Sequence, residues 1–213
     1  MFESLPDIPR LFTALAEWGA ALVYVFVVAR SAPSNALNPN AAIPRWRLAA
    51  AAVGGLVVLV GAQELLGRAP LSLWVPGMMT AYALVWCVIR VGTALDWRWV
   101  THMSARAFIV AELAASLAWQ VVVYSHADKP FWHPVSFGGF AAIAATCLAV
   151  VYFFERRVYR QGALPVLRFA DLASGVLIGI AIFALSNLSF ISTATPFSGR
   201  SDWEIFYIRT LVD

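Results

Sequence analysis

Glu17 is the residue whose type and position point most directly to chemistry, because it is a carboxylate within a long apolar run. The run begins near residue 11, so on a helix rising about 1.5 Å per residue Glu17 lies roughly 9 Å inside it. An intramembrane carboxylate costs a few kcal/mol and normally faces a bundle interior or a wet cavity. Two interpretations stay open for Glu17, a ligand contact and a buried structural hydrogen bond.

Further polar side chains reach the same level in other apolar runs. Gln63 and Glu64 end the second run, and Gln120 lies near the end of the fourth. Together with Glu17 they predict a polar pocket open to one side of the membrane, with these four residues as ligand-binding candidates. Glu64 has an alternative interpretation, an interfacial ion pair with Arg68 four residues later.

A polar stripe follows the fourth run, where Glu112, Ser116 and Gln120 succeed one another at steps of four residues. This spacing places them on one helix face, with a drift of about 40° per step. Such a stripe either joins helices by hydrogen bonds or lines a signal path. Glu112 is expected in the arginine-rich half of its span, within reach of Arg90 or Arg106.

The loop after the fourth run holds Trp132 between two histidines, His126 and His133. Trp132 is a ligand-contact candidate, with membership of the interfacial aromatic belt as the alternative. The histidines stand seven residues apart, which fits no common metal motif, so no metal site is predicted.

Gly175 and Gly179 form a GxxxG pair in the sixth apolar run. Such a pair permits close helix contact, either across a dimer interface or within one bundle.

Catalytic signatures are absent from the sequence, which contains no HExxH, GxSxG, GxxxxGK[ST] or strand-linked GxGxxG pattern. We therefore predict no catalytic residue, no enzymatic activity for this chain and no cofactor.

Six apolar runs of membrane-spanning length position these residues. Hydrophobic residues make up 61% of the 213 residues and charged residues 13%, against about 25% charged in soluble domains. Each span needs roughly 20 apolar residues, so the runs use most of the chain and predict one integral membrane domain over 1–213. The fold class is an all-α polytopic helix bundle, because the apolar runs are continuous rather than alternating. The runs cover residues 11–29, 48–66, 71–91, 107–125, 135–154 and 169–192.

The arginines predict the orientation of this bundle. Ten of the fifteen basic residues fall in the segments after the first, third and fifth runs, and short basic loops stay in the cytoplasm. The N-terminus is therefore expected outside. A seventh span begins at Trp203, carries Arg209 as a signal-path candidate and stops at Asp213. The net charge of +3 suits an anionic inner leaflet rather than nucleic acid.

Two segments carry a family resemblance, PRLFTALAEWGAALVYV from Pro9 to Val25 and FALSNLSFISTATPFSGRSDWEIFYIRTLVD from Phe183 to Asp213. Both resemble the membrane sensor region of bacterial GHKL-type sensor histidine kinases related to peptide quorum-sensing receptors. In that family the several-span sensor precedes a dimerisation helix with the phospho-acceptor histidine and an ATP-binding domain. This sequence stops before both, and none of its three histidines matches the acceptor helix.

The resemblance implies a signal-input role in the bacterial cytoplasmic membrane without kinase activity in this chain. The implied partners are an extracellular or membrane-borne ligand, a second copy of the chain, and a cytoplasmic kinase domain in cis or in trans. The related quorum-sensing receptors imply that the ligand is a peptide. The alternative function is a small transporter or channel that uses the intramembrane carboxylates. That alternative requires a continuous polar path between the outer and inner carboxylates.

Overall fold

The computed structural model describes residues 8–31, 43–70, 73–93, 95–126, 133–159 and 167–186. This part of the chain is a bundle of α-helices without strands, as the sequence predicted. The six helices are α1 Arg10–Ser31, α2 Arg45–Leu66, α3 Trp74–Thr93, α4 Trp97–His126, α5 Pro134–Tyr159 and α6 Phe169–Ser186.

Five helices, α1 to α5, are long and apolar enough to cross a membrane. In α6 the residues with described side chains form the apolar stretch Phe169–Ala181. The rest of the predicted sixth span, to residue 192, and the predicted seventh span, 203–213, lie outside the described residues. The helical bundle is therefore confirmed, and its predicted count of six spans and a partial seventh stays a prediction.

The first helix is the centre of the bundle. It packs against α2, α3, α4 and α5, whereas α6 packs against α4. Buried residues make up 67% of the most apolar part of α1 but only 11% of that of α5. A displacement of α1 therefore affects the packing of four other helices.

Successive helices run antiparallel, so each end of the bundle contains the first residues of some helices and the last residues of others. At one end Phe12 of α1 stacks on Phe140 of α5, with ring centroids 4.0 Å apart, and meets Trp119 of α4 edge-on. At the other end Arg106 of α4 pairs with Glu155 of α5. We call these the Phe12 end and the Arg106 end.

Small residues let α1 and α4 approach closely between these two ends. Ala16 and Ala20 of α1 belong to the same buried cluster as Ala107, Ala111 and Ala115 of α4. Small side chains allow helix backbones within a bilayer to approach, and van der Waals contact rather than water exclusion then stabilises the pair.

The start of α2 is tied to its neighbours by polar contacts. Residues Ala50–Gly54 form a π-helical segment, and the indole Nε1 of Trp18 donates a 2.7 Å hydrogen bond to the carbonyl of Ala52 within it. Arg47 donates from Nε to the carbonyl of Val91, at 2.8 Å. That contact satisfies one of the carbonyls that the end of α3 leaves without a helical partner.

The beginning of α4 differs from the sequence prediction, which started this span at residue 107. The helix begins at Trp97, where Asp96 Oδ2 accepts a 3.2 Å hydrogen bond from the Arg98 backbone N–H. The segment between the predicted third and fourth spans, residues 92–106, was expected to be a loop. Its part from Trp97 onward, which carries Arg98, His102 and Arg106, is helical, and there the prediction was wrong. The prediction followed the apolar run, and these polar residues interrupt the run without ending the helix.

A close contact of three helices gives a stability prediction. A methyl group added to Gly92 of α3 would lie 2.6 Å from Val25 Cγ2 of α1 and 3.2 Å from Ala51 Cβ of α2. We expect Gly92→Ala to lower the free energy of unfolding by about 1 kcal/mol, because overpacked contacts force neighbours to shift. Denaturation by sodium dodecyl sulfate in mixed micelles measures it. Gly61→Ala, with no atom within 4 Å of the added methyl, is the control and should cost nothing.

Candidate functional site

A buried glutamate–glutamine pair joins α1 and α2. The Nε2 of Gln63 donates a 2.7 Å hydrogen bond to Oε1 of Glu17. The two side chains are 0% and 2% exposed, respectively. The sequence predicted that these groups share one level and line a pocket open to the outside. The structure brings them together, but it encloses them.

The helical period explains why Gln63 rather than its neighbour reaches Glu17. Gly55, Leu59 and Gln63 are spaced by four residues and form the buried face of this part of α2. Glu64 is rotated by about 100° from Gln63 and is exposed. Among the described residues its side chain has neither a hydrogen bond nor the predicted ion pair with Arg68.

Two oxygens of this pair have no hydrogen-bond partner among the described residues, Glu17 Oε2 and Gln63 Oε1. Two charged groups, Glu112 of α4 and Arg10 at the start of α1, act on Glu17 electrostatically. A buried polar atom without a partner costs about 1–3 kcal/mol. We define Glu17, Gln63 and Glu112 as the Glu17 site.

A second polar cluster joins α1, α4 and α5 at the Arg106 end. The hydroxyl of Tyr24 donates a 3.1 Å hydrogen bond to Glu155 Oε1, and the same oxygen accepts the ion pair from Arg106 Nη2. The Glu155 side chain is 4% exposed and that of Arg106 45%. We call these three residues the Arg106 cluster. It fastens the central helix to two neighbours through one buried carboxylate.

The contact between α4 and α6 lies beside this cluster. His102 of α4 is one helical turn from Arg106, and its Nδ1 is buried without a hydrogen-bond partner in the described part of the chain. A Cβ on Gly175 of α6 would lie 3.4 Å from that nitrogen. Asp171 of α6, whose carboxylate accepts the Arg168 backbone N–H at the helix start, acts on His102 electrostatically.

An apolar layer separates the Glu17 site from the Arg106 cluster. Tyr24 follows Glu17 by seven residues, which is two helical turns or about 10 Å along α1. The buried side chains between these levels include Ala20 and Ala21 of α1 and Ala107 of α4. The two carboxylates Glu17 and Glu155 are thus parts of separate sites joined by the backbone of α1.

The polar stripe of α4 is oriented toward the bundle. Ser116 and Gln120 are 1% and 5% exposed, respectively, and Glu112 is partly buried. Arg106 binds Glu155, and Glu112 acts electrostatically on Glu17. The expected approach of Arg90 or Arg106 to Glu112 stays a prediction.

The glycine pair packs within the chain. Gly175 faces His102, and a Cβ on Gly179 would lie 3.2 Å from Ile109 of α4. The structure thus contains the contact within the bundle that was one interpretation of the GxxxG motif, and the dimer interface stays a prediction. Trp132 and Arg209, the remaining candidates, lie outside the described residues.

Sequence reasoning missed Tyr24, His102 and the pairing of Arg106 with Glu155. Glu155 precedes Arg156 and Arg157, a sequence typical of the membrane interface. A signal was nevertheless available, because buried Ser136, Phe140 and Ala144 of α5 recur every four residues. Continuing that face at helical spacing reaches position 155.

The described residues contain no group of three or more His, Cys, Asp or Glu side chains placed to hold a metal ion. Comparison of the chain with protein-family models, with curated proteins and with solved structures found no match in any of the three.

Proposed function

We propose that this chain is the membrane signal-input module of a bacterial two-component sensor histidine kinase, with its N-terminus outside the cytoplasmic membrane. One observation carries the proposal, the position of α1. This central helix holds the Glu17 site toward the Phe12 end and the Tyr24 hydroxyl toward the Arg106 end. A ligand that shifts α1 at one end therefore changes contacts at the other.

The arginines support the proposed orientation. The Arg106 end carries most arginines of the described residues, namely Arg45, Arg47, Arg90, Arg98, Arg106, Arg156, Arg157 and Arg168. The Phe12 end carries Arg10 and Arg68. By the positive-inside rule the Arg106 end lies in the cytoplasm, where a kinase domain has access to ATP.

The Glu17 site and the Arg106 cluster give the bundle the elements of a switch between two packings. A ligand shifts such an equilibrium only through different affinities for the two packings. When Glu17 is ionised, its Oε2 and the Oε1 of Gln63 have no partner in this packing, which costs free energy. The proposed switch uses a second packing in which these oxygens find partners, and a ligand contact at the Phe12 end favours one packing over the other.

The coding sequence past Asp213 provides the first test of this function. We expect the frame to continue through the seventh span into an acceptor-histidine helix and a GHKL domain. In the full-length protein, Glu17→Ala should change autophosphorylation in liposomes by roughly fivefold, because about 1 kcal/mol shifts a two-state equilibrium by that factor. Phosphate transfer from labelled ATP measures it.

The matched control for this assay is Glu64→Ala. Glu64 lies one residue beyond Gln63 but is exposed, so its replacement should leave autophosphorylation unchanged. A reading frame that enters a domain of another class, or equal activity of the wild type and Glu17→Ala, would contradict the proposed function.

The second candidate function is a transporter that uses the intramembrane carboxylates, and the burial of Glu17 with a free oxygen favours it. The apolar layer between Glu17 and Glu155 counts against it, because among the described residues this layer interrupts a polar path. Purified protein in liposomes with a trapped pH dye separates the two candidates. Proton or cation flux that Glu17→Gln abolishes would replace the sensor proposal with the transporter.

A further inference from the structure

The hydrogen-bond donors and acceptors of the Glu17–Gln63 pair leave room for one additional proton. An amide and a carboxylate that face each other form one hydrogen bond, from the amide N–H to one carboxylate oxygen, and this bond is present at 2.7 Å. The other two oxygens, Glu17 Oε2 and Gln63 Oε1, are both acceptors when the carboxylate is ionised. Neither has a partner among the described residues.

We propose that the Glu17–Gln63 pair binds a single proton between Glu17 Oε2 and Gln63 Oε1, and that this proton closes the contact between α1 and α2. A proton on Oε2 turns that oxygen into a donor to the Gln63 carbonyl oxygen. The carboxyl and amide groups then exchange two hydrogen bonds, and no polar atom of the pair is left unsatisfied. When the proton leaves to water, two acceptors face each other and the pair is held by one bond.

The groups around Glu17 are compatible with a bound proton. Glu112 of α4 acts on Glu17 as a charge of the same sign. Arg10 has the opposite effect, but it lies two turns away at the start of α1, where its side chain runs beside Gly67. In the described chain, α3 and α5 contribute no charged group that acts on Glu17.

A metal cation fits the pair less well than a proton does. Hard cations such as Ca²⁺ and Mg²⁺ take about six or more oxygen ligands, whereas the pair offers two free oxygens. Glu112 is the other carboxylate that acts on Glu17. With one proton added, one of the two free oxygens becomes a donor and the other stays an acceptor, which is what a single hydrogen bond requires.

Infrared difference spectroscopy of the full chain in lipid nanodiscs tests the proposal. The wild type should show the C=O stretch of a protonated carboxylic acid at neutral pH, sensitive to deuterium and lost at alkaline pH. Glu17→Gln should remove this band, and Glu64→Gln, at an exposed position, should leave it unchanged. Gln63→Leu should move the band to higher frequency, because the carboxyl then loses its hydrogen bonds to the amide.

Three results would overturn the proposal. The first is the absence of the acid band from acidic to neutral pH, which would mean that Glu17 is ionised. The second is a band that persists in Glu17→Gln, which would assign it to another carboxyl. The third is loss of the band when sodium replaces choline in the buffer at constant pH, which would assign the site to a metal cation.

Because the Gln63→Leu shift is measured in a chain that keeps Glu17, the test holds even when Glu17→Gln fails to fold. Since the band reports on the pair alone, its presence with no kinase domain downstream would separate this inference from the proposed function.

Discussion

Replacing Arg106 with leucine is expected to lower the free energy of unfolding by on the order of 3 kcal/mol, since it leaves a buried carboxylate without its cation. Glu155 is 4% exposed and would keep only the Tyr24 hydroxyl bond. Glu155→Gln should cost less than about 1 kcal/mol. The glutamine still accepts from Tyr24, and Arg106, whose side chain is 45% exposed, reaches water when its partner is neutral. Titration of unfolding with sodium dodecyl sulfate in mixed micelles measures both variants.

The double variant Arg106→Leu/Glu155→Gln completes this experiment. We expect it to regain most of the stability that Arg106→Leu loses, because no unpaired charge remains buried. Arg157→Leu is the control, since Arg157 lies at the same end of α5 as Glu155 but is exposed, and its effect should stay within about 0.5 kcal/mol. Equal costs for the two single variants would show that the cluster is solvated rather than buried.

The position of each span was predictable wherever the helix is apolar along its whole length. The first run, predicted over 11–29, is α1 Arg10–Ser31, and the second, predicted over 48–66, is α2 Arg45–Leu66. The start of α4 at Trp97 was not predictable from the apolar run. Its first turns carry polar side chains, which bind neighbouring helices, and composition alone does not say which face of a helix those side chains occupy.

The level of the Glu17 site was predictable, but its contacts were not. Counting residues along antiparallel spans places Glu17 and Gln63 at similar depth, because every residue advances a helix by the same distance. Which of Gln63 and Glu64 faces Glu17 depends on the rotation of α2, and tertiary packing sets that rotation. The same limit hid Glu155, whose charged neighbours in the sequence point to the interface while its own face points inward.

Removing either member of the Glu17–Gln63 pair is expected to cost about 2 kcal/mol, and removing both should cost less than the sum. Gln63→Leu leaves the Glu17 carboxyl enclosed without the 2.7 Å bond from the amide. Glu17→Leu leaves the amide of Gln63, 0% exposed, with no partner on α1. In Glu17→Leu/Gln63→Leu both polar groups are gone and two apolar side chains meet. Unfolding of the four proteins in mixed micelles gives the interaction energy as a double-mutant cycle.

The cycle separates a specific contact from ordinary packing between α1 and α2. A specific pair should give a coupling of roughly 1 kcal/mol, within the range measured for hydrogen bonds between membrane helices. Glu64→Leu, on the exposed side of the same turn, should change stability by no more than about 0.5 kcal/mol and show no coupling to Glu17→Leu. If the costs at positions 17 and 63 simply add, the hydrogen bond does not hold α1 against α2, and the helix contact depends on the shape of the apolar side chains alone.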